Sequence, residues 1–250
     1  MGKGHAGRVA VVSGAASGIG QAIASRLAED GVQVAIADIQ DASATLDTIR
    51  SAGGRAVAFQ CDVSEPQSVA KLAEQVMRDL GRCDILVNDA GVLPHLSFHQ
   101  MTFEQWRRVL AVNLDSMFLM SKAFVPDMRA RGWGRVVNVA SNTLGMVLPN
   151  FVHYVTSKGG VVGFTRSLAS ELGPDGITVN AIAPSLTRTP GTLTQVGNRE
   201  GYYEMIAQRQ AIKRVSMPQD LVGAVSFLTS DDAAFMTGQT LYVDGGLVRV

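Results

Sequence analysis

Cysteine is scarce in this chain of 250 residues, which contains only Cys61 and Cys83. The two are well separated, and neither a CxxC spacing nor a cluster of histidines accompanies them. The sequence therefore predicts neither a disulfide framework nor a metal site. A reducing compartment suits such a chain, and the short polar N-terminus lacks the apolar stretch of an export signal. We expect a cytoplasmic protein without a bound metal.

An excess of charge of either sign is also missing. The 22 lysines and arginines balance the 22 aspartates and glutamates, so the formal net charge is zero. Nucleic acids and anionic membranes are recognised by clustered basic side chains, and the basic residues here are scattered. No uninterrupted apolar run approaches about 18 residues, the length that spans a bilayer. We expect a small-molecule substrate as the partner, with no binding to nucleic acid or to a membrane.

Internal repeats, low-complexity tracts and linkers are absent too, so we expect residues 1–250 to form a single domain. Short runs rich in Val, Ile and Ala alternate with longer amphipathic segments, the pattern of parallel strands and crossover helices. Because several of these runs are apolar on both faces, helices should cover both sides of the sheet. The sequence thus predicts an α/β fold, a Rossmann-type doubly wound parallel sheet of about seven strands.

The expected elements follow from this alternation. Strands are predicted at residues 9–13, 32–37, 56–61, 84–88, 134–140, 177–182 and 240–243, and helices at 19–30, 42–52, 66–80, 103–131, 152–172 and 218–229. Thr102 and Gln105 have the spacing of a capping box at the start of the long helix, and Pro126 is a candidate kink within it. Residues 184–216 break the alternation, so we expect them to form a substrate lid at the carboxyl edge of the sheet.

A glycine-rich turn at residues 13–20 (SGAASGIG) follows the first strand directly. Small residues let the backbone approach a phosphate, and the amides at the start of the next helix favour an anion. Asp38 ends the second strand, at the distance where an acid accepts hydrogen bonds from the adenosine ribose. Its carboxylate would repel a 2′-phosphate, while Ser17, Ile39 and Gln40 offer no cation to attract one. We therefore expect NAD as the cofactor rather than NADP.

Candidate catalytic residues lie in the second half of the chain. Tyr154 and Lys158 are four residues apart in a predicted helix, so both project from one face of it. Ser141 follows the fifth strand, at the edge where a doubly wound sheet binds its ligands, and Asn113 lies in the preceding long helix. An isolated Tyr–Lys pair at this spacing is common by chance. The pair indicates a catalytic site only in combination with Ser141 and Asn113.

The motifs together resemble the short-chain dehydrogenase/reductase family from about residue 7 to the C-terminus. The matching segments, in the order and spacing of that family, are residues 13–20, 88–91 (NDAG), Asn113, Ser141, 154–158 (YVTSK) and 184–189. The resemblance implies hydride transfer between a nicotinamide and a carbonyl or alcohol carbon, with Tyr154 as proton donor and acceptor. It further implies that Ser141 binds the substrate oxygen and that Asn113 supports a water-linked proton path to Lys158. We expect Lys158 and the oxidised nicotinamide to lower the pKa of Tyr154 from about 10.

The cofactor contacts expected from the turn, the strand ends and the resemblance are Gly14, Ser17, Gly18, Ile19, Gly20, Asp38, Asp62, Val63, Asn88, Ala90, Gly91, Tyr154, Lys158, Pro184 and Thr189. Thr189 matches the family threonine that contacts the cofactor carboxamide. Two positions depart from the family pattern. Asp89 replaces an asparagine by a group that only accepts hydrogen bonds when ionised, and Ser185 stands where glycine commonly follows Pro184.

The segments expected to face the substrate are largely apolar, which suits a hydrophobic secondary alcohol or ketone, with an aryl compound as one option. The candidate pocket residues are Leu93, His95, Asn142, Thr143, Leu148, His153, Leu186 and Tyr202. Within the family, the segments 81–92, 102–134, 175–188 and 230–249 look most like NAD-dependent 1-phenylethanol dehydrogenases.

Other functions remain open on the same scaffold: a 3-ketoacyl-carrier-protein reductase, a sugar dehydrogenase, or a nucleotide-sensing protein that has lost turnover. An enoyl reductase is disfavoured, because enoyl reductases space their catalytic Tyr and Lys more widely than the four residues between Tyr154 and Lys158. The helices predicted at 103–131 and 152–172 resemble those that pair across subunits in the family, so the resemblance also implies a homotetramer with dihedral symmetry.

Overall fold

A seven-stranded parallel sheet forms the centre of the computed structural model, which describes residues 4–196 and 200–249. The strand order is β3-β2-β1-β4-β5-β6-β7, and every neighbouring pair is parallel. The strands are β1 Val9–Ser13, β2 Gln33–Asp38, β3 Arg55–Gln60, β4 Ile85–Asn88, β5 Gly134–Val139, β6 Ile177–Pro184 and β7 Thr240–Val243. The predicted doubly wound sheet is confirmed, and the order reverses between β1 and β4, where such sheets bind their ligands.

All six predicted helices are present, and the structure adds others. The helices are α1 Gly18–Glu29, α2 Ser43–Ser51, α3 Pro66–Leu80, α4 Phe103–Leu110, α5 Ser116–Arg131, α6 Val152–Leu172, α7 Pro190–Val196, α8 Glu200–Arg209 and α9 Gln219–Leu228. Helices α7 and α8 lie in the segment 184–216, for which the sequence predicted only an irregular excursion. Proline and glycine obscured their short periodicity, although Pro190 at the first position of α7 is favourable there.

Alternate side chains of the central strands supply two separate hydrophobic layers, as expected for a sheet covered on both faces. On one side, Val12 and Ile36 belong to a cluster with Ile23 and Leu27 of α1. On the other side, Val11 and Leu86 pack in a cluster that includes Phe124 of α5. The sheet is thereby fixed from both faces, and its carboxyl edge is left to carry the site.

The long helix predicted at 103–131 is continuous but contains a widened turn. Its start is the predicted capping box, in which the Thr102 hydroxyl accepts from the Gln105 amide and the Gln105 side chain accepts from the Thr102 amide. A π-helical turn, Ala111–Asp115, then joins α4 to α5. Such turns are frequent at functional sites, and this one holds the buried Asn113.

By length and composition alone, the run Phe103–Arg131 could cross a membrane, with a mean hydropathy of 1.3 over its most apolar window. Within the fold, 44% of that window is buried. Its helix α5 packs against α3, β4 and β5. We interpret the run as a core helix of the domain.

A buried carboxylate secures the edge where β1 and β4 begin. Asp84 is fully buried and accepts from the amide of Val9 at 2.9 Å. Three guanidinium groups surround the same side chain, from Arg82 at 2.5 Å, Arg8 at 3.4 Å and Arg131 at 3.5 Å. Because the arginines keep part of their surface in water, this cluster neutralises the carboxylate without burying four charges completely.

Replacing Asp84 by asparagine should lower the free energy of unfolding by about 2 to 3 kcal/mol, since it removes a buried charge from three partners. Chemical denaturation measures this change. Asp79→Asn is the matched control, because Asp79 pairs only with the exposed Arg78 and should have little effect. Equal stabilities of the two variants would contradict the role given to the cluster.

Candidate active site

A cavity of about 730 Å³ opens at the carboxyl edge of the sheet. Its wall is formed by the turn after β1, the ends of β2 and β3, the loops after β4 and β5, the start of α6 and the segment after β6. The predicted site residues that line it are Gly14, Ser17, Gly18, Ile19, Asp38, Asp62, Val63, Ala90, Gly91, Leu93, Ser141, Asn142, Thr143, Leu148, Tyr154, Lys158, Pro184, Leu186, Thr189 and Tyr202. The residues expected to bind the cofactor and those expected to bind the substrate and catalyse the reaction thus line one cavity.

The glycine-rich turn has the conformation that its composition demands. Gly14 and Gly18 have φ angles of 71° and 62°, a region that favours glycine. A Cβ on Gly14 would lie 2.8 Å from the backbone of Ala90. Gly20 was predicted to contact the cofactor but lies outside the cavity wall. A Cβ there would lie 2.4 Å from the Gly14 oxygen, so its role is to let α1 pack closely under the turn.

Asp38 is held by two backbone amides at the end of β2. One carboxylate oxygen accepts from Ala16 at 2.9 Å and the other from Gln40 at 2.9 Å. The carboxylate is thereby fixed beside the glycine turn and on the cavity wall. Among the described residues, the basic side chains on that wall are Lys158 and Arg108.

Asn88 was also predicted to bind the cofactor, but the structure places it beneath the cavity. Its side-chain amide donates to Asn138 at 2.8 Å, and the Asn138 amide donates to Thr165 at 2.9 Å. This buried chain joins β4, β5 and α6. The first asparagine of the NDAG segment therefore supports the site from below.

Tyr154, Lys158 and Ser141 come together at the centre of the cavity. Lys158 is buried, and its ammonium donates to the carbonyl of Val139, the last residue of β5, at 2.6 Å. The same nitrogen lies 5.8 Å from the centre of the Tyr154 ring. The Ser141 side chain acts on the phenol of Tyr154 and opposes the rise of its pKa. The Ser141 hydroxyl also accepts from the amide of Thr143 at 3.3 Å.

Asn113 lies behind the cavity wall and joins three segments. Its side-chain oxygen accepts from the amide of Val92 at 2.8 Å, while its nitrogen donates to the carbonyl of Val92 at 2.9 Å. The same nitrogen donates to the hydroxyl of Ser157 at 3.1 Å. The side chain therefore fixes the loop after β4 against α6, next to Lys158.

The pKa of Tyr154 lies above its ordinary value. Burial raises it to about 12, an effect that the Ser141 side chain opposes and the charge of Asp89 strengthens. Loss of hydration around the phenol is the largest effect on this pKa. The lowering expected from Lys158 together with the oxidised nicotinamide stays a prediction. Burial lowers the pKa of Lys158 itself, and the neighbouring Asp89 opposes that change.

Asp89 is the most unusual residue of the cavity. Burial raises the pKa of its carboxyl, whereas Lys158 and a hydrogen bond from the Gly20 amide lower it. The half-buried Asp89 and the buried Lys158 therefore influence each other's pKa. An asparagine, which the family usually has at this position, would leave Lys158 without a negatively charged neighbour there.

The substrate side of the wall is mostly apolar. Leu93, Leu148, Leu186 and Tyr202 line it, as do Met146, from the segment 142–148 expected to face the substrate, and Thr192 and Ile206, from the predicted lid. The residues that were not predicted are Arg108, Val112 and Phe151. Of the polar candidates, Asn142 is buried and its amide donates to Asp244 at 3.2 Å. Phe151 directly precedes α6, the helix that carries Tyr154. Its position so close to Tyr154 in the sequence was the signal that could have indicated a place on the cavity wall.

Two predicted pocket histidines lie outside the cavity. His95 is exposed and contacts Phe151 edge to face, with ring centres 5.2 Å apart. His153 is fully buried, and its Nδ1 accepts from the amide of Tyr154 at 2.9 Å. This bond satisfies a free amide in the first turn of α6, so His153 supports the helix that carries Tyr154. No group of three potential metal ligands occurs in the part of the chain that the structure describes.

Burial lowers the pKa of His153, so the unfolded chain binds a proton more readily than the folded one near pH 6. The stabilising effect of neutral His153 is therefore present above about pH 6.5 and lost as the pH falls. We predict that His153→Asn, whose side-chain oxygen can also accept, weakens this acid dependence of the free energy of unfolding. Denaturation between pH 5 and 7.5 measures it. His99→Gln, at an exposed position, should keep the wild-type dependence; the same curve for all three proteins would refute the assignment.

Comparison with known proteins places the chain in a family. Residues 14–248 match the family model described as enoyl-(acyl carrier protein) reductase. The chain is 39% identical to the short-chain reductase protein NovJ of Streptomyces niveus, over 95% of this chain and 93% of the relative. It is also 39% identical to a cis-4-hydroxycyclohexanecarboxylate dehydrogenase of Sinomonas cyclohexanicum, over the full length of both.

A solved structure from Beutenbergia cavernae is similar throughout, with a TM-score of 0.91, 39% identity and 97% of each chain covered. Its assigned activity, NAD(P)-dependent gluconate 5-dehydrogenase, is itself provisional, and it holds NADP at low occupancy. Fold, cavity and relatives agree: the chain is an oxidoreductase that belongs to the short-chain dehydrogenase/reductase family.

Proposed function

We propose that this protein is an NAD-dependent enzyme that interconverts a hydrophobic secondary alcohol, aryl alcohols included, and its ketone. The observation that carries the proposal is the wall around Tyr154 and Ser141. Two hydroxyl groups lie there among Leu93, Leu148 and Phe151. Such a wall binds an apolar molecule with one oxygen better than a polyhydroxylated one.

The turn after β1 fits the cofactor. Side chains are excluded at Gly14, so backbone amides can approach a pyrophosphate at the start of α1. When bound, the reduced nicotinamide supplies the hydride. Asp38, already oriented by two amides, would accept from the adenosine ribose hydroxyls and disfavour a 2′-phosphate. These contacts support NAD over NADP.

The protein's own side chains bind the substrate oxygen and transfer the proton. Ser141 would donate to the carbonyl oxygen and hold it beside Tyr154. Tyr154 gives its proton to that oxygen in reduction and accepts it in oxidation. Because burial raises its pKa, the phenol of Tyr154 keeps its proton but is a weak acid, so added positive charge both strengthens it as a donor in reduction and is needed to form the phenolate for oxidation. Lys158, fixed by Val139, is oriented to contribute that charge.

Arg108 favours a second candidate, oxidation of a hydroxy acid. It is exposed on the cavity wall, where a guanidinium could bind a carboxylate. The similar proteins from Sinomonas cyclohexanicum and Beutenbergia cavernae carry names of that class. We rank this second because most side chains on the substrate side of the wall are apolar.

Turnover of acetophenone with NADH tests the proposal, followed as loss of NADH absorbance. We expect activity with NADH to exceed that with NADPH, and acetophenone to be a better substrate than 5-ketogluconate. Tyr154→Phe should lower kcat at least about 100-fold, as for loss of a general acid. Activity that survives this substitution would contradict the mechanism, and preference for the sugar acid would favour the second candidate. Binding of NADH without turnover of any ketone would indicate a nucleotide sensor.

We also propose a homotetramer and a cytoplasmic location for the enzyme. The outward faces of α5 and α6 support the assembly, since Phe118, Phe164 and Leu168 line a groove between them. Phe118 is 53% exposed, although it is large and apolar. A second copy of these helices is the occupant that the family resemblance implies.

A further inference from the structure

A cluster of hydroxyl groups joins the segment after β6 to the lid helices α7 and α8. Thr189 lines the cavity, whereas Tyr203 is 2% exposed and lies behind the wall. Between them is Thr192. The Tyr203 hydroxyl donates to Thr192 Oγ1 at 2.8 Å, and the Thr189 amide donates to the same oxygen at 3.0 Å.

Thr192 Oγ1 has one proton and two lone pairs, and all three are used. Of the three acceptors near its proton, the carbonyl of Thr187 is the nearest at 2.8 Å, ahead of the hydroxyl of Thr189 at 3.1 Å and the carbonyl of Thr189 at 3.2 Å, and we assign the proton to Thr187. The lone pairs accept from Tyr203 and from the amide of Thr189. Although the hydroxyls of Thr189 and Thr192 are only 3.1 Å apart, Thr192 has no lone pair left for the proton of Thr189.

The oxygen of Thr189 is fixed as well, because it accepts from the amide of Thr192 at 3.1 Å. The side chain also lies against the glycine turn: a Cβ on Gly18 would be 3.2 Å from the Thr189 Cβ. Its hydroxyl proton is consequently directed toward the cavity, beside the segment where the nicotinamide would bind.

We propose that Tyr203 is a positioning residue for the cofactor: by occupying Thr192, it keeps the Thr189 hydroxyl available as a donor to the nicotinamide carboxamide. This inference rests on the proposed function. Without the Tyr203 hydroxyl, Thr192 regains a free lone pair, and the Thr189 proton turns inward to it. The donor is then lost to the cofactor although Thr189 itself is unchanged.

Binding of two nucleotides to Tyr203→Phe tests the proposal. NADH carries the carboxamide, whereas ADP-ribose shares its adenosine and pyrophosphate but lacks the nicotinamide. We expect the Kd for NADH to rise about three- to tenfold, the loss of one neutral hydrogen bond, with the Kd for ADP-ribose unchanged. Calorimetric titration measures both. The control Tyr242→Phe, which removes a hydroxyl on β7, should change neither.

A double-mutant cycle separates this effect from general loosening of the lid. If Tyr203 acts through Thr189, then Tyr203→Phe should not weaken NADH binding further in a protein that already carries Thr189→Val. Should Tyr203→Phe fail to fold, Thr192→Val is the second test: it removes the oxygen that would otherwise capture the Thr189 proton, so NADH affinity should be retained, and an NADH-specific loss would overturn the inference.

For Tyr203→Phe, an equal loss of affinity for both nucleotides, no loss for NADH, or additive effects in the cycle would each overturn the inference. In those cases wild-type binding of NADH would leave the proposed function standing. If the wild type binds neither nucleotide, the proposed function fails and this inference fails with it.

Discussion

The buried side chain of Asn113 is the contact on which the arrangement of the site depends. It pairs with both backbone groups of Val92 and with the hydroxyl of Ser157. The first contact fixes the loop that ends the nucleotide half of the sheet. The second fixes α6 one residue before Lys158. The buried chain of Asn88, Asn138 and Thr165 also joins β4 to α6, but the Asn113 side chain is the contact that lies next to Lys158.

Burial and neighbouring charges, rather than contact with water, set the protonation states of the ionisable groups in the cavity. Lys158 is buried and Asp89 half-buried, each opposing the effect of burial on the other's pKa, while burial holds the phenol of Tyr154 in its protonated form. The protein alone therefore keeps the proton on Tyr154, the state from which ketone reduction begins. Oxidation of an alcohol requires the additional positive charge that an oxidised nicotinamide would bring.

The sequence predicted the sheet well because buried parallel strands are continuous apolar runs and their helices have clear periodicity. The glycine turn, Asp38, Ser141, Tyr154 and Lys158 were found for a related reason, since each follows a strand end or a helical spacing. Gly20, Asn88 and His153 were also predicted at the site but are not part of the cavity wall. The side chains of Asn88 and His153 make buried hydrogen bonds instead, and spacing along the chain cannot reveal in which direction a side chain points.

The π-helical turn and the hydroxyl cluster were equally hidden. The π-helical turn lies within one continuous helical run, so the sequence predicted a single helix at 103–131. Helices α7 and α8 are short, and proline, glycine and threonine dominate the first of them. Their contacts depend on which hydroxyl proton meets which oxygen, and this is fixed only once the chain is folded.

Comparison of Asn113→Leu with the wild type tests the account most directly, because leucine has a similar volume but makes no hydrogen bonds. The two measurements are kcat with acetophenone and the Kd for NADH. The account predicts a folded protein whose kcat falls at least about 100-fold while the Kd rises only a few fold, since catalysis is more sensitive than binding to the placement of the reacting groups. A variant that folds and keeps wild-type kcat would contradict it.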